Sequence, residues 1–310
     1  MGHGAESRLR AAHGFPGHGG TELAGIFYLP EGEGPFPGVV MTHGFSAVKE
    51  MCLREFAEVF CEAGFAVLLY DHRNLGESAG EPRQEIDPWA QVRDYRYALS
   101  WLGERSEVDA ERLGVWGSSF SGGAVLILAA VDRRVKAVVA NVPLSGLPGM
   151  DYSDPQATFE SMREVVLDEG DQGLASRASS EPQTLRVVDD GREGAPAFLN
   201  QPESARWFLR VGQRPGSTWR NQVTVVNAFD CEPRFDPGFC MPYIAPTPLL
   251  MVVASGDNLT PASTAEEAFS RAGEPKNWVL IEGDHFVPYQ GAAAEKVSSL
   301  TRDFLIQSLM

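Results

Sequence analysis

"RLGVWGSSFSGG", residues 112–123, joins an apolar run to a helical one through a turn of small residues, and its reading decides the fold. "RLGVWG" (112–117) has the pattern of a buried strand ending on glycine. "AVLILAAV" (124–131) is apolar on every side, as a helix inside a protein is. A nucleophile elbow places a serine two positions past such a strand end, on a sharp strand-to-helix turn held in strained dihedrals. Strain of about 1 to 3 kcal/mol at the apex demands small neighbours two residues away on both sides. Gly117 meets that demand on one side, and Ser121 meets it on the other, where the G-x-S-x-G pattern has glycine. Ser119 is therefore the expected nucleophile. Ser118 points back along the turn and Ser121 lies in the first helical turn. The apex sits at a helix N-terminus, where dipole and free N–H groups favour developing negative charge. The segment "WGSSFSGG" (116–123) also fits a helix N-cap with no chemistry, so its company in the chain has to decide.

The rest of the chain alternates short β-rich runs with helical periodicity, the pattern of a largely parallel sheet covered by helices. Strands are expected at 25–32, 37–45, 65–71, 112–117, 135–143, 248–255 and 277–283. Leu53, Phe56, Phe60 and Ala63 mark one helix, closed by Gly64. Trp89, Val92, Leu99 and Leu102 mark a second, with Asp87-Pro88 as its start. Val297, Leu300, Phe304, Leu305 and Leu309 give a closing amphipathic helix. Between 146 and 245 the rhythm breaks into prolines, acidic clusters such as "DEGD" (168–171), and two helical pieces around "FESMREVVL" and "SARWFLRVG". The expected organisation is a core of residues 1–145 and 246–310 with an inserted lid or cap segment at 146–245. Its aromatic residues Trp207, Phe208, Trp219, Phe229, Phe235 and Phe239 suit an apolar pocket wall, although ordinary packing would use the same residues.

Composition excludes several classes. A formal net charge of -16 over 310 residues argues against nucleic acid and anionic membrane surfaces, both of which need clustered Lys and Arg. No stretch approaches the ~20 apolar residues of a membrane span, and the first thirty residues hold no signal-peptide run, so the expected location is the cytoplasm. Cys52, Cys61, Cys231 and Cys240 form no C-x-x-C pair and read as reduced, mostly buried thiols, with a Cys231–Cys240 bridge as the minor alternative. No H-E-x-x-H or tight His/Asp cluster suggests a metal. "GFPGHGG" near the N-terminus fails as a dinucleotide loop, because no apolar strand precedes it and no helix follows. No cofactor is expected.

A serine nucleophile needs a base, an acid that orients the base, and oxyanion donors. His285 in "EGDHFVPY" follows the last strand, and Asp257 in "VVASGDNLTP" holds the equivalent place after the strand before it. The order Ser119, Asp257, His285 is the Ser, Asp, His order of the α/β-hydrolases. "THGF" (42–45) supplies a His-Gly turn after an early strand, with the N–H of Phe45 joining that of Phe120 as expected oxyanion donors. Asp71 in "YDHRNLGES" is the rival acid, and Asp284 is a weaker one because it would have to fold back on its neighbour. His43 is expected to shape its turn, and His72 and Arg73 to brace their loop by hydrogen bonds.

Taken together, "HGFSAVKEM", "YDHRNLGES", "WGSSFSGG" and "GDHFVPY" resemble the α/β-hydrolase superfamily. More narrowly, the chain is similar to a microbial subgroup of polyketide transferases, thiohydrolases and dienelactone-hydrolase-like proteins, in which an S-F-S-G-G elbow recurs. The likeness covers roughly 22–145 and 246–309. It implies Ser119 as nucleophile, His285 as base, Asp257 as acid, and Phe45 and Phe120 as oxyanion donors. The activity it leads us to expect is hydrolysis of an ester or thioester of a hydrophobic acyl group through an acyl-serine. The alternatives are transfer of that acyl group to an alcohol or amine, carbon-carbon bond hydrolysis, and a binding protein that has lost catalysis. The expected partner is a small-molecule acyl ester or thioester.

Overall fold

The computed structural model describes residues 9–170, 183–194, 196–225 and 231–310. Phe229 and Asp171 of the "DEGD" cluster lie outside them. Long apolar strands without alternation must be covered on both faces, and they order the molecule. An eight-stranded sheet runs β1-β2-β4-β3-β5-β6-β10-β11. Its strands are β1 (Leu9–Pro16), β2 (Glu22–Leu29), β3 (Phe36–Thr42), β4 (Ala66–Tyr70), β5 (Val108–Ser118), β6 (Val135–Asn141), β10 (Leu249–Ala254) and β11 (Lys276–Ile281). Every neighbour pair from β4 to β11 is parallel, and only β1 with β2 and β2 with β4 are antiparallel. Val39, Val40, Met41, Val115, Trp116, Val138 and Val252 are fully buried.

Helices α1 (Leu53–Glu62) and α7 (Gly291–Leu309) pack together on the sheet, and α2 (Pro88–Gly103) packs with α3 (Phe120–Val131). Helix α6 (Ala262–Arg271) lies against β10. The start of α2 follows its sequence signal: Asp87 caps it by accepting the Ala90 N–H at 3.0 Å, and Pro88 occupies the first turn. Every residue of α3 is buried, as its all-round apolar sequence requires.

The N-terminal edge carries a strand that no apolar pattern announces: "LRAAHGFP" forms β1, which runs into the glycine-rich stretch and pairs antiparallel with β2 from Leu9↔Leu29 to Pro16↔Glu22. Its residues lack apolar alternation, so backbone pairing, not a hydrophobic pattern, identifies it. Helix α6 has no counterpart among the expected elements, because its buried side carries only small residues, Ala265 and Ala268.

Residues 146–245 add no described strand to the large sheet. They carry α4 (Gln156–Leu167) and α5 (Pro202–Gly212) where helical pieces were expected. They also carry an unforeseen three-stranded sheet, β8-β7-β9, made of β7 (Gln183–Val188), β8 (Ala197–Leu199) and β9 (Val223–Val225). Cys52, Cys61, Cys231 and Cys240 are free thiols. Among the described residues no helix is long and apolar enough to cross a membrane.

Candidate active site

Four loops leave the carboxyl ends of parallel strands along one edge of the sheet, where such folds place their ligands. They follow β3, β5, β10 and β11. The β5 loop is the elbow: Ser119 has φ 55° and ψ -115°, a conformation costly for any residue with a Cβ. The turn is pinned from both sides, by Ser119 N–H to Asn141 O at 2.8 Å and Leu144 N–H to Ser119 O at 2.9 Å. A Cβ on Gly117 would overlap the Ser121 carbonyl, which is why that position holds glycine.

The structure brings Ser119, His285 and Asp257 into one hydrogen-bonded chain. The Ser119 hydroxyl lies 2.9 Å from His285 Nε2, and His285 Nδ1 lies 2.6 Å from Asp257 Oδ2. The other carboxylate oxygen, Oδ1, accepts the N–H groups of Leu259 and Thr260, each at 2.8 Å. Burial opposes ionisation of Asp257, but the hydrogen bond and charge of His285 together with these backbone donors outweigh it and hold its pKa below the ordinary carboxylate value. Thr260 went unnoticed in the sequence. Its hydroxyl is 2.9 Å from Asp257 Oδ2, and the only hint was a turn-forming "DNLT".

The rival acids are occupied elsewhere. Asp71 accepts the Lys49 backbone N–H at 2.8 Å and its ammonium at 2.6 Å. Glu50 and Glu77 complete a carboxylate group around that buried ammonium, at 3.0 and 2.6 Å. Burial works against the charge on Lys49, but Asp71, Glu77 and Glu50 together more than offset it and raise the pKa of the ammonium. Asp284 accepts the Phe286 N–H at 3.0 Å. Arg73 forms an ion pair with Asp94, through Nε at 2.7 Å and Nη2 at 2.6 Å, and Nη2 also donates to His18 O at 2.9 Å. His72 bonds Ser121 at 2.7 Å. Ser118 is bound to the Tyr289 hydroxyl.

The β3 loop lies directly on the elbow. A Cβ on Gly44 would fall 2.7 Å from Ser119 Cβ and 2.9 Å from Ser118 O, so only glycine allows this approach. His43 shapes the turn: its Nδ1 accepts the Gly44 N–H and its Nε2 donates to Met51 O, both at 2.8 Å. Burial lowers its pKa to about 4, keeping the ring neutral for both bonds. Phe120 opens α3, so its N–H has no intrahelical acceptor. The Phe45 N–H donates to no backbone carbonyl among the described residues.

Above Ser119 lies a cavity of about 280 Å³ walled by Phe45, Phe120, Phe198, Trp207, Phe208 and Phe286, together with Leu144, Leu199 and Leu259. Of the aromatic residues singled out in 146–245, Trp207 and Phe208 line it. Trp219 and Phe235 sit one layer back, against Phe208 and Phe120, and Phe239 packs on Tyr152. Phe198, stacked on Phe45 at 4.5 Å, also lines it and was missed, because β8 carries no periodic signal in three residues.

The sheet order and the strand-end loops that carry the elbow make this an α/β-hydrolase. Solved structures agree: α/β-hydrolase GrgF from Penicillium sp. sh18 matches with a TM-score of 0.76 at 27% sequence identity, covering 97% of this chain and 99% of that one. Within that class, the chain belongs to the family described as X-Pro dipeptidyl-peptidase (S15 family), which matches residues 19–286. A thiohydrolase of Aspergillus aculeatus is 31% identical over 286 residues, covering 90% of this chain and 87% of its own. A polyketide transferase of Stachybotrys chlorohalonatus is 33% identical over 264 residues, 85% of each chain. The chain is thus an enzyme of the hydrolase and acyl-transfer kind.

Proposed function

We propose that this protein cleaves an ester or thioester of an uncharged, hydrophobic acyl group through an acyl-serine intermediate. The observation that carries the reading is the Ser119–His285–Asp257 chain opening into an aromatic cavity. Ser119 Oγ attacks the acyl carbonyl carbon while His285 Nε2 takes its proton. The carbonyl oxygen becomes an oxyanion held by the N–H groups of Phe45 and Phe120. His285 then returns the proton to the departing alkoxide or thiolate, and Asp257 stabilises the imidazolium between the two transfers. Water, activated by the same imidazole, attacks the acyl-serine and releases the acid.

Among the described residues that line the cavity there is no Asp, Glu, Lys or Arg. A peptide amino terminus would find no counter-charge there, which favours a neutral acyl group over a dipeptide. Acyl transfer is the second reading, favoured by the polyketide transferase relative. It shares every step up to the acyl-serine, which an alcohol or amine then takes in place of water. A panel of acyl esters and thioesters of graded length, with and without added alcohol or amine, tests both. Acid release that is unaffected by the acceptor supports hydrolysis; suppression of acid as a new ester or amide appears supports transfer. No turnover of any panel member overturns the reading.

Residues 146–245 act in this proposal as a lid that sets acyl preference, since Phe198, Leu199, Trp207 and Phe208 supply one wall. Trp207 stacks on Phe286 at 4.9 Å. Trp207→Phe keeps an aromatic ring there and opens the wall by part of the indole. The ratio of kcat/KM for long over short acyl chains is expected to rise about 10-fold, the scale of one or two methylene groups. Trp219→Phe, one layer back, should leave that ratio unchanged. Equal ratios in parent and Trp207→Phe would remove Trp207 from the specificity wall.

A further inference from the structure

The position where the elbow departs from the common pattern has a structural partner on each side. Ser121 is fully buried, and its hydroxyl touches both His72 Nε2, at 2.7 Å, and the His43 carbonyl. We propose that Ser121 is a positioning residue of the oxyanion hole, its hydroxyl linking His72 to the His43 carbonyl and thereby fixing the direction of the Phe45 N–H. The inference rests on the acyl-serine reading above.

Proton counting sets the direction of the chain. A carbonyl oxygen only accepts, so the single Ser121 hydroxyl proton goes to His43 O. The Ser121 oxygen must then accept from His72, which places the His72 proton on Nε2. Burial lowers the His72 pKa to about 3, so this neutral tautomer holds across the working range. His43 and His72 are 4% and 2% exposed, so water does not readily replace either bond.

The consequence passes along two peptide planes. The His43–Gly44 peptide is held at its oxygen by Ser121 and at its N–H by His43 Nδ1, at 2.8 Å. The Gly44–Phe45 peptide is held at its oxygen by the Ala47 N–H, at 3.2 Å. In a trans peptide C=O and N–H point in opposite directions, so the Phe45 N–H is turned away from Ala47. Glycine at 44 offers little resistance to rotation between these planes, and the Ser121 link supplies it. The turn itself needs no side chain at 121, since the common motif has glycine there. Removing the hydroxyl leaves only the direct approach of His72 to the His43 backbone to hold that peptide, and the loop gains by shifting.

The test uses Ser121→Ala with His72→Leu and His72→Gln, whose amide N–H stands in for the imidazole Nε2–H. Readouts are kcat and KM on one ester, inhibition by an arylboronic acid that forms a tetrahedral adduct on the serine, thermal stability, and organophosphorus labelling of Ser119. Ser121→Ala is expected to lower kcat roughly 10- to 100-fold, the effect of a misdirected donor. KM should stay close to the parent value and boronate affinity should fall in step with kcat, while Ser119 still takes the label. His72→Leu should lose a similar factor, His72→Gln should recover most of it, and Ser121→Ala/His72→Leu should be little worse than Ser121→Ala alone. If Ser121→Ala does not fold, the His72 pair carries the test from outside the elbow. Parent-like kcat and boronate affinity in folded Ser121→Ala, or a loss of stability alone, overturns the proposal. A parent enzyme that does not label at Ser119 overturns the acyl-serine reading instead.

Discussion

Ser119→Ala is expected to abolish labelling by an organophosphorus ester and to lower turnover by about 10⁴- to 10⁶-fold, while the protein stays folded. The size follows from nucleophile removal in serine enzymes generally, where the residual rate comes from binding and the oxyanion hole. Folding should survive because the elbow is held by backbone bonds that alanine keeps, from Ser119 N–H to Asn141 O and from Leu144 N–H to Ser119 O. The lost side-chain contact is one hydrogen bond, to His285 Nε2. The two neighbouring serines are controls. Ser118 is bound to Tyr289 and Ser121 to His43 and His72, so neither hydroxyl is presented to His285. Peptide mapping of the labelled parent should find Ser119 alone, and Ser118→Ala should still label there. A label on Ser118 or Ser121, or turnover retained in Ser119→Ala, would sink the elbow assignment.

The elbow was legible because its constraints are local. A buried strand, Gly117, a serine at the apex and a wholly apolar helix occupy twenty consecutive residues, and each restricts backbone geometry there. Asp257 and His285 were legible for a different reason. Each follows a strand by a few residues, Asp257 after Ala254 and His285 after Ile281, and a parallel sheet carries neighbouring strand ends to one edge, so chain order alone predicts proximity. The strand expected at 37–45 in fact stops at Thr42, which frees His43 and Gly44 to form the loop on the elbow.

What was not legible depends on pairing between distant segments. Strand β9 is three residues long and is placed by bonds from Thr224 to Gln84 O and Arg83 O, far earlier in the chain. Nothing in "VTV" announces that. The aromatic residues of 146–245 divide between the two roles left open for them, because composition marks a residue such as Trp219 as apolar but not whether it faces the cavity or backs a residue that does. Ser121 appeared in the sequence only as a tolerated departure from glycine. Its meaning depends on the two histidines that converge on it from the ends of β3 and β4, segments far apart in the chain.

Asp257→Asn is expected to give a folded enzyme with kcat lowered up to roughly 10⁴-fold, by analogy with triads in which the orienting carboxylate becomes an amide. Here the geometry says which way the amide sits. Oδ1 accepts from Leu259 and Thr260 N–H, a place only the amide oxygen can fill, so the NH₂ group takes the position of Oδ2 beside His285 Nδ1. A donor then faces a donor. The imidazole escapes by moving its proton to Nε2, where it can no longer accept from Ser119. Labelling of Ser119 should slow in proportion to kcat, and melting should change little because both backbone bonds remain. Asp71→Asn should behave oppositely. The Lys49 side chain is 2% exposed and Asp71 is its most buried charge partner, so neutralising Asp71 leaves an ammonium in the interior with weaker compensation. Breaking such a buried pair costs up to about 3–5 kcal/mol, and the amide, which keeps a hydrogen bond, should fall at the lower end. The melting temperature drops while kcat per folded molecule stays near the parent value. Parent-like turnover in Asp257→Asn would remove it from the triad. A well-folded but inactive Asp71→Asn would transfer the acid's role to the other strand end.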